Sequence, residues 1–168
     1  HNDVYATGVE HKIGIHGSPT CVMTYGAKGD GAIGYLVGEQ NMGLAYMFTM
    51  MNHARINVGV QGVALADRAY QQAAAYAKDR VQGQAPGDRE KGSIIRHPDV
   101  RRMLMVMRSL TEASRALCYV TSSAFDHAHH AVDKQERTLA NFRGELLTPI
   151  AKGWSTEVAQ EVSSLGLQ

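Results

Sequence analysis

The sequence predicts a mainly α fold: three long helices of an incomplete four-helix bundle, preceded by a few short β-strands. Three observations lead there. Eight of the 17 glycines fall in residues 1–40, where they separate short β-branched and aromatic runs. No proline interrupts the chain from Asn41 to Arg80. Along that stretch Gly59, Gly62, Ala66, Ala69, Ala73 and Ala77 recur at spacings of three and four, which puts small side chains on one helix face.

The runs Val4–Val9, Thr20–Tyr25 and Ile33–Val37 read as strands. Three short strands make a marginal sheet without a second layer. The helix over Asn41–Arg80 carries Gly59 and Gly62 at a cost of about 1 kcal/mol each. A close helix contact is the simplest compensation, in a bundle or at an oligomer interface. Gly83, Pro86, Gly87, Gly92 and Pro98 mark a linker over 83–98.

A second helix is expected from Pro98 to Ala131, with His97 as its cap. Its buried face should include Val100, Leu104, Met107, Leu110, Ser114, Leu117 and Thr121. A third should run from Asp133 to Leu165, kinked near Pro149 and Gly153 and stopped by Gly166. The chain begins at His1 without Met and ends at Gln168 after Leu-Gly-Leu. Unpaired strands, a bundle one helix short and these ends together read as a piece of a longer protein.

Composition narrows the function classes. Apolar residues make up 44% and charged residues 20%, as in globular domains. A formal charge of +1 argues against nucleic acid as partner. No apolar run approaches membrane-spanning length and no signal-peptide pattern is seen. Cys21 and Cys118 lack metal-ligand spacing and read as reduced, buried thiols of a cytoplasmic protein.

Several motifs are identified as belonging together. Glu-His-Lys-Ile-Gly-Ile-His-Gly-Ser-Pro-Thr (10–20) resembles the end of the middle β domain of acyl-CoA dehydrogenases. Gly-Tyr-Leu-Val-Gly-Glu-Gln-Asn-Met-Gly-Leu (34–44) resembles the hinge that follows. Met-Phe-Thr-Met-Met-Asn-His-Ala-Arg (47–55) resembles the start of the family's C-terminal helical domain. Gly59–Arg80 continues that helix, and Arg-Val-Gln-Gly (80–83) resembles its end. The first and third of these motifs resemble the branch that includes 3-methylmercaptopropionyl-CoA dehydrogenases. The resemblance implies a remnant of the middle domain over 1–40 and a helical-bundle domain over 41–168.

It also implies a parent enzyme that oxidises acyl-CoA to trans-2-enoyl-CoA. In that family a Glu removes the α-proton while a hydride passes from the β-carbon to FAD. Asn52, His53 and Arg55 are implied as substrate-binding. Arg80, Gln82 and His97 are implied as cofactor-binding, Arg80 through the FAD pyrophosphate. Neither of the family's two base positions holds Glu: Ala54 stands beside Arg55, and the other lies beyond Gln168. The fragment alone is therefore expected to be inactive and not to hold FAD. The implied partners are acyl-CoA, an electron-transfer flavoprotein and further copies in a homodimer or homotetramer. Neither nucleic acid nor membrane is among them.

Other constellations are weaker. Asp126 and His130 share a helix face, but two ligands do not make a zinc site, so no metal is expected. Glu112 and Glu157 lack the His three residues on that a di-iron bundle requires. Met42, Met47, Met50 and Met51, with Met103, Met105 and Met107, read as helical core. Arg101, Arg102, Arg108 and Arg115 read as a solvated face. Competing functions are a non-catalytic helical assembly module and a DNA-damage-related flavoprotein of the same superfamily.

Overall fold

The computed structural model describes residues 2–29 and 31–168. The chain divides into two compact units, His1–Leu44 and Ala45–Gln168.

The first unit is built on an antiparallel hairpin of β1 (Val4–Val9) and β2 (Cys21–Tyr25), with Val4 opposite Tyr25 and Val9 opposite Cys21. A register shift between Ala6 and Gly8 marks a bulge, the usual place for a glycine inside a strand. The expected third strand, Ile33–Val37, does not form. β-branched residues favour extended backbone, but a strand exists only where a neighbour completes its ladder. Here the Asn2 side chain occupies the backbone of Ile33, donating to its carbonyl at 2.7 Å and accepting its N–H at 2.8 Å. Ile33, Tyr35, Leu36 and Val37 are all exposed. Cys21 is exposed too, contrary to the buried thiol expected, because a two-stranded hairpin has no second layer to cover it. Cys118 is buried, and both thiols are free.

The second unit is helical: α1 (Gly43–Asp79), a single 3-10 turn (Ile94–Arg96), α2 (Pro98–His130) and α3 (Lys134–Leu167). The small-residue stripe of α1 lies on α3 within the same chain. A Cβ on Gly59 would meet the Ala151 carbonyl oxygen at 3.3 Å, and one on Gly62 would stand 2.5 Å from the Ser155 oxygen. Advancing along α1 advances along α3, so these two helices run parallel. Cys118 sits against Ser155, Phe125 against Gly144 and Met107 against Gly166, so α2 runs antiparallel to both.

Ala66, Met107, Val158 and Val162 form the core, flanked by Tyr70, Leu104, Leu110 and Leu165. Nearer the other end, Thr111, Ser114, Thr121, Thr148 and Ser155 are buried. Thr111, Thr121 and Thr148 each donate to the carbonyl four residues back, at 2.7, 2.8 and 2.7 Å. That satisfies the hydroxyls without a partner from another helix.

Of the α2 face expected to be buried, Met107, Ser114 and Thr121 are fully enclosed, while Val100, Leu104, Leu110 and Leu117 are half-buried. The methionine expectation fails in large part. Met107 is core, but Met42, Met47, Met50 and Met105 are exposed. Met42 precedes α1, and Met47 and Met50 lie in its first turns, where residues 43–50 are all exposed. Met105, two positions from Met107, points to the opposite side of α2. Gly166 does not stop α3, which runs to Leu167. Its missing side chain admits the Met107 methyl group, 3.3 Å from where a Cβ would lie. α3 is one continuous helix through Pro149 and Gly153.

The α2–α3 turn is closed by Asp133, whose carboxylate accepts the Glu136 N–H at 2.9 Å as an N-cap. Arg137 donates to the carbonyls of Ala131 and Val132 at 2.7 and 3.0 Å.

Gly62→Ala should lower stability by about 1–3 kcal/mol, because overpacking outweighs the roughly 1 kcal/mol gained in helix propensity. Gly153→Ala, where a Cβ meets nothing within 4 Å, should be neutral or stabilising by up to about 1 kcal/mol. Urea unfolding of the pair checks this, and equal midpoints would refute a tight α1–α3 seam. Asp133→Ala should cost about 1 kcal/mol by the same measurement.

Candidate functional site

Two groups of polar residues in the helical unit stand out. The first lines a cleft of about 740 Å³ between the first half of α1, the end of α2 and the start of α3. Phe48, Ile56, Val60 and Phe125 supply its apolar surface; Asn52, His53, Asn57, Asp126, His129, Asn141 and Glu145 supply polar groups. Phe125 reaches this position because α3 has Gly144 opposite it, where a Cβ would fall 2.9 Å from the ring.

Two of the polar groups are oriented by their own helices. The His129 Nδ1 lies 2.7 Å from the Phe125 carbonyl oxygen, so Nδ1 carries a proton and Nε2 is left for another partner. Asn141 donates to Glu145 at 2.9 Å. An apolar surface with convergent polar groups is the usual character of a small-molecule site.

Asn52 and His53 therefore share one wall of this cleft, with His53 the more exposed. Arg55 does not line it and is half-buried. Three positions along a helix from Asn52 amount to a rotation of about 300°, or about 60° in the direction away from His53, so Arg55 stands just past the edge of the cleft.

The second group forms where α1 ends. Arg80 is exposed and follows the last residue of α1, where the helix dipole favours a cation. Its Nε and Nη2 both donate to the Gln82 side-chain oxygen, at 3.3 and 3.0 Å. The His97 Nε2 stands 3.0 Å from the Gln82 carbonyl oxygen. Because a carbonyl only accepts, Nε2 carries the proton. Residues 17 apart in sequence thus meet in one cluster.

The backbone around the cluster is tied by a bridge between Val81 and Ser93. Ile94 N–H donates to the Arg80 carbonyl at 2.8 Å, and Gln82 N–H to that of Gly92 at 3.2 Å. Gly83 takes a φ of +70°, which glycine adopts without the penalty other residues carry. A second tie, Arg96 to Asp88 at 2.6 Å, was not anticipated from sequence. An Asp and an Arg eight residues apart in a Gly- and Pro-punctuated linker were its only trace.

Among the described residues no three His, Cys, Asp or Glu side chains come together as a metal site. No helix among them is long and apolar enough to cross a membrane.

Comparison with known proteins gives this arrangement its context. Residues 41–168 match the family described as "Acyl-CoA dehydrogenase, C-terminal domain". Across 99% of the chain, 51% of residues are identical to 3-methylmercaptopropionyl-CoA dehydrogenase of Ruegeria pomeroyi. Butyryl-CoA dehydrogenase of Syntrophomonas wolfei is 37% identical over 99% of the chain. The broad-specificity linear acyl-CoA dehydrogenase FadE5 of Mycobacterium tuberculosis is also 37% identical over 99%. The chain spans 28% of the length of each of these three relatives. With a helical unit built as described and a family match that covers the whole of it, the chain belongs to the acyl-CoA dehydrogenase family.

Proposed function

We propose that this chain forms part of a flavin-dependent acyl-CoA dehydrogenase that converts an acyl-CoA to its trans-2-enoyl-CoA. The observation that carries this reading is the placement of Asn52 and His53 on the wall of the α1–α2–α3 cleft, in a chain 51% identical to an acyl-CoA dehydrogenase.

The cleft suits the uncharged portion of such a substrate. Its aromatic and aliphatic surface accepts an apolar chain, and Asn52 and His53 offer hydrogen bonds to amide or carbonyl groups. Asp126 and Glu145 on the same cleft would repel the phosphates of CoA, which orients the thioester end inward. Arg55, outside the cleft, is left as a cation for those phosphates or for positioning the base. We assign no residue of this chain as the base, since Ala54 stands where one branch of the family carries its Glu.

FAD, when bound, accepts the hydride. The end of α1 fits a phosphate-bearing group. Arg80 is exposed, is permanently charged, and has only a neutral amide oxygen as its acceptor among the described residues. Its remaining N–H groups match phosphate oxygens in pairs. Gln82 and His97 complete that cofactor-side cluster. The same reading takes an electron-transfer flavoprotein as acceptor and a cytoplasmic homodimer or homotetramer as the working assembly.

In the whole protein, Arg80→Ala should weaken FAD binding by about 10- to 150-fold, corresponding to the roughly 1.5–3 kcal/mol of a charge-assisted hydrogen bond. Flavin fluorescence titration of the apoprotein measures this, and an unchanged Kd would remove Arg80 from the flavin site. Asn52→Ala and His53→Ala should each raise the Kd for acyl-CoA by about fivefold to tenfold, the loss of one neutral hydrogen bond. Equilibrium binding of acyl-CoA with no change in either variant would move the substrate out of this cleft.

A further inference from the structure

We infer that Gln82 and His97 are positioning residues that act through Arg80. In this arrangement His97 holds the Gln82 backbone, the Gln82 side chain holds the Arg80 guanidinium, and Arg80 meets the anion. The inference rests on the reading of Arg80 as the phosphate-binding cation.

The chain of contacts is continuous. A guanidinium has five N–H donors. Nε–H and one N–H of Nη2 are taken by the Gln82 oxygen. That contact sets the plane of the guanidinium and fills its inner edge. The outer edge, formed by Nη1 and the second N–H of Nη2, is left for a bidentate acceptor. An unrestrained Arg would lose rotamer freedom on binding, and this contact removes part of that loss beforehand.

The Gln82 side chain can do this only if its backbone is held. Its N–H is bonded to Gly92 and its carbonyl to the His97 imidazole. His97 is itself anchored, because its N–H donates to Ile94 and its carbonyl accepts from Arg101 as α2 begins. Gly83 turns the chain beside the His97 ring at a φ of +70°, the left-handed region that glycine adopts without penalty. Among the described residues no carboxylate pairs with Arg80: Asp88, in the same loop, is engaged by Arg96.

The relay therefore ties the direction of Arg80 to the start of α2. Its signature is coupling. A residue that acts through Arg80 has nothing to contribute once Arg80 is gone.

The test measures the FAD Kd of the whole apoprotein by flavin fluorescence for Arg80→Ala, Gln82→Met and the double variant. His97→Ala and His97→Gln are measured alongside, the latter keeping a side-chain N–H donor. Gln82→Met should raise Kd by about tenfold in the parent background, the loss of a hydrogen bond to a charged group. In the Arg80→Ala background it should change Kd by less than about twofold, within the additivity error of independent sites. His97→Ala should weaken binding by about threefold to tenfold, and His97→Gln should recover most of it.

Equal losses from Gln82→Met in both backgrounds would overturn the relay, because Gln82 would then contact FAD itself or merely shape the loop. No loss from Gln82→Met would overturn it as well. If Arg80→Ala alone leaves Kd unchanged, the phosphate reading of Arg80 fails and the relay fails with it. That result is distinct from a relay failure in which Arg80→Ala still weakens binding.

Discussion

The helical unit depends on how closely α1 approaches α3. At Gly62 there is no room for a methyl group, since the Ser155 oxygen already occupies its place. Backbones that close exchange side-chain volume for direct contact between helix surfaces, and interior packing leaves no slack for an added atom. Other glycines serve helix contacts in the same way. With α1 on α3, the Met107 side chain of α2 fits against Gly166, and Phe125 fits against Gly144. Glycines that would weaken isolated helices are thus placed where neighbouring helices need the space.

The same seam positions both candidate sites, at opposite ends of α1. Where the helices are closest, no cleft can form. Toward the start of α1 they separate, and the space between α1, α2 and α3 becomes the cleft that carries Asn52 and His53. At the other end α1 finishes at Asp79, and Arg80 is delivered beside the start of α2. The loop between them is held by backbone hydrogen bonds and by the Arg96–Asp88 pair. Half-exposed ion pairs of this kind contribute little stability; here the geometry is the larger effect, because it brings His97 over Gly83.

Much of the helical architecture was legible in the residues. Spacings of three and four marked the α1 face, and a long proline-free stretch marked its extent. Pro98 marked the first turn of α2. Those signals are local and periodic, and helices are made by local hydrogen bonds. The candidate site was legible in part. Asn52 and His53 were visible through resemblance, but Phe125, Asn141 and Glu145 were not, because they enter the cleft from other helices. Likewise Arg80, Gln82 and His97 were named separately, while the hydrogen bonds that join them cross the loop.

The sequence by itself determined that this chain makes long helices, where their small-residue face lies, and the family to which the motifs point. Tertiary structure decided the rest. It showed that the small-residue face is used inside the chain against α3, that Gly166 serves packing and does not end a helix, and that Ile33–Val37 is no strand. The physical reason is common to all three. Propensity and periodicity are properties of a segment, whereas a strand, a packing glycine or a hydrogen-bonded cluster is defined by the atoms of another segment lying next to it.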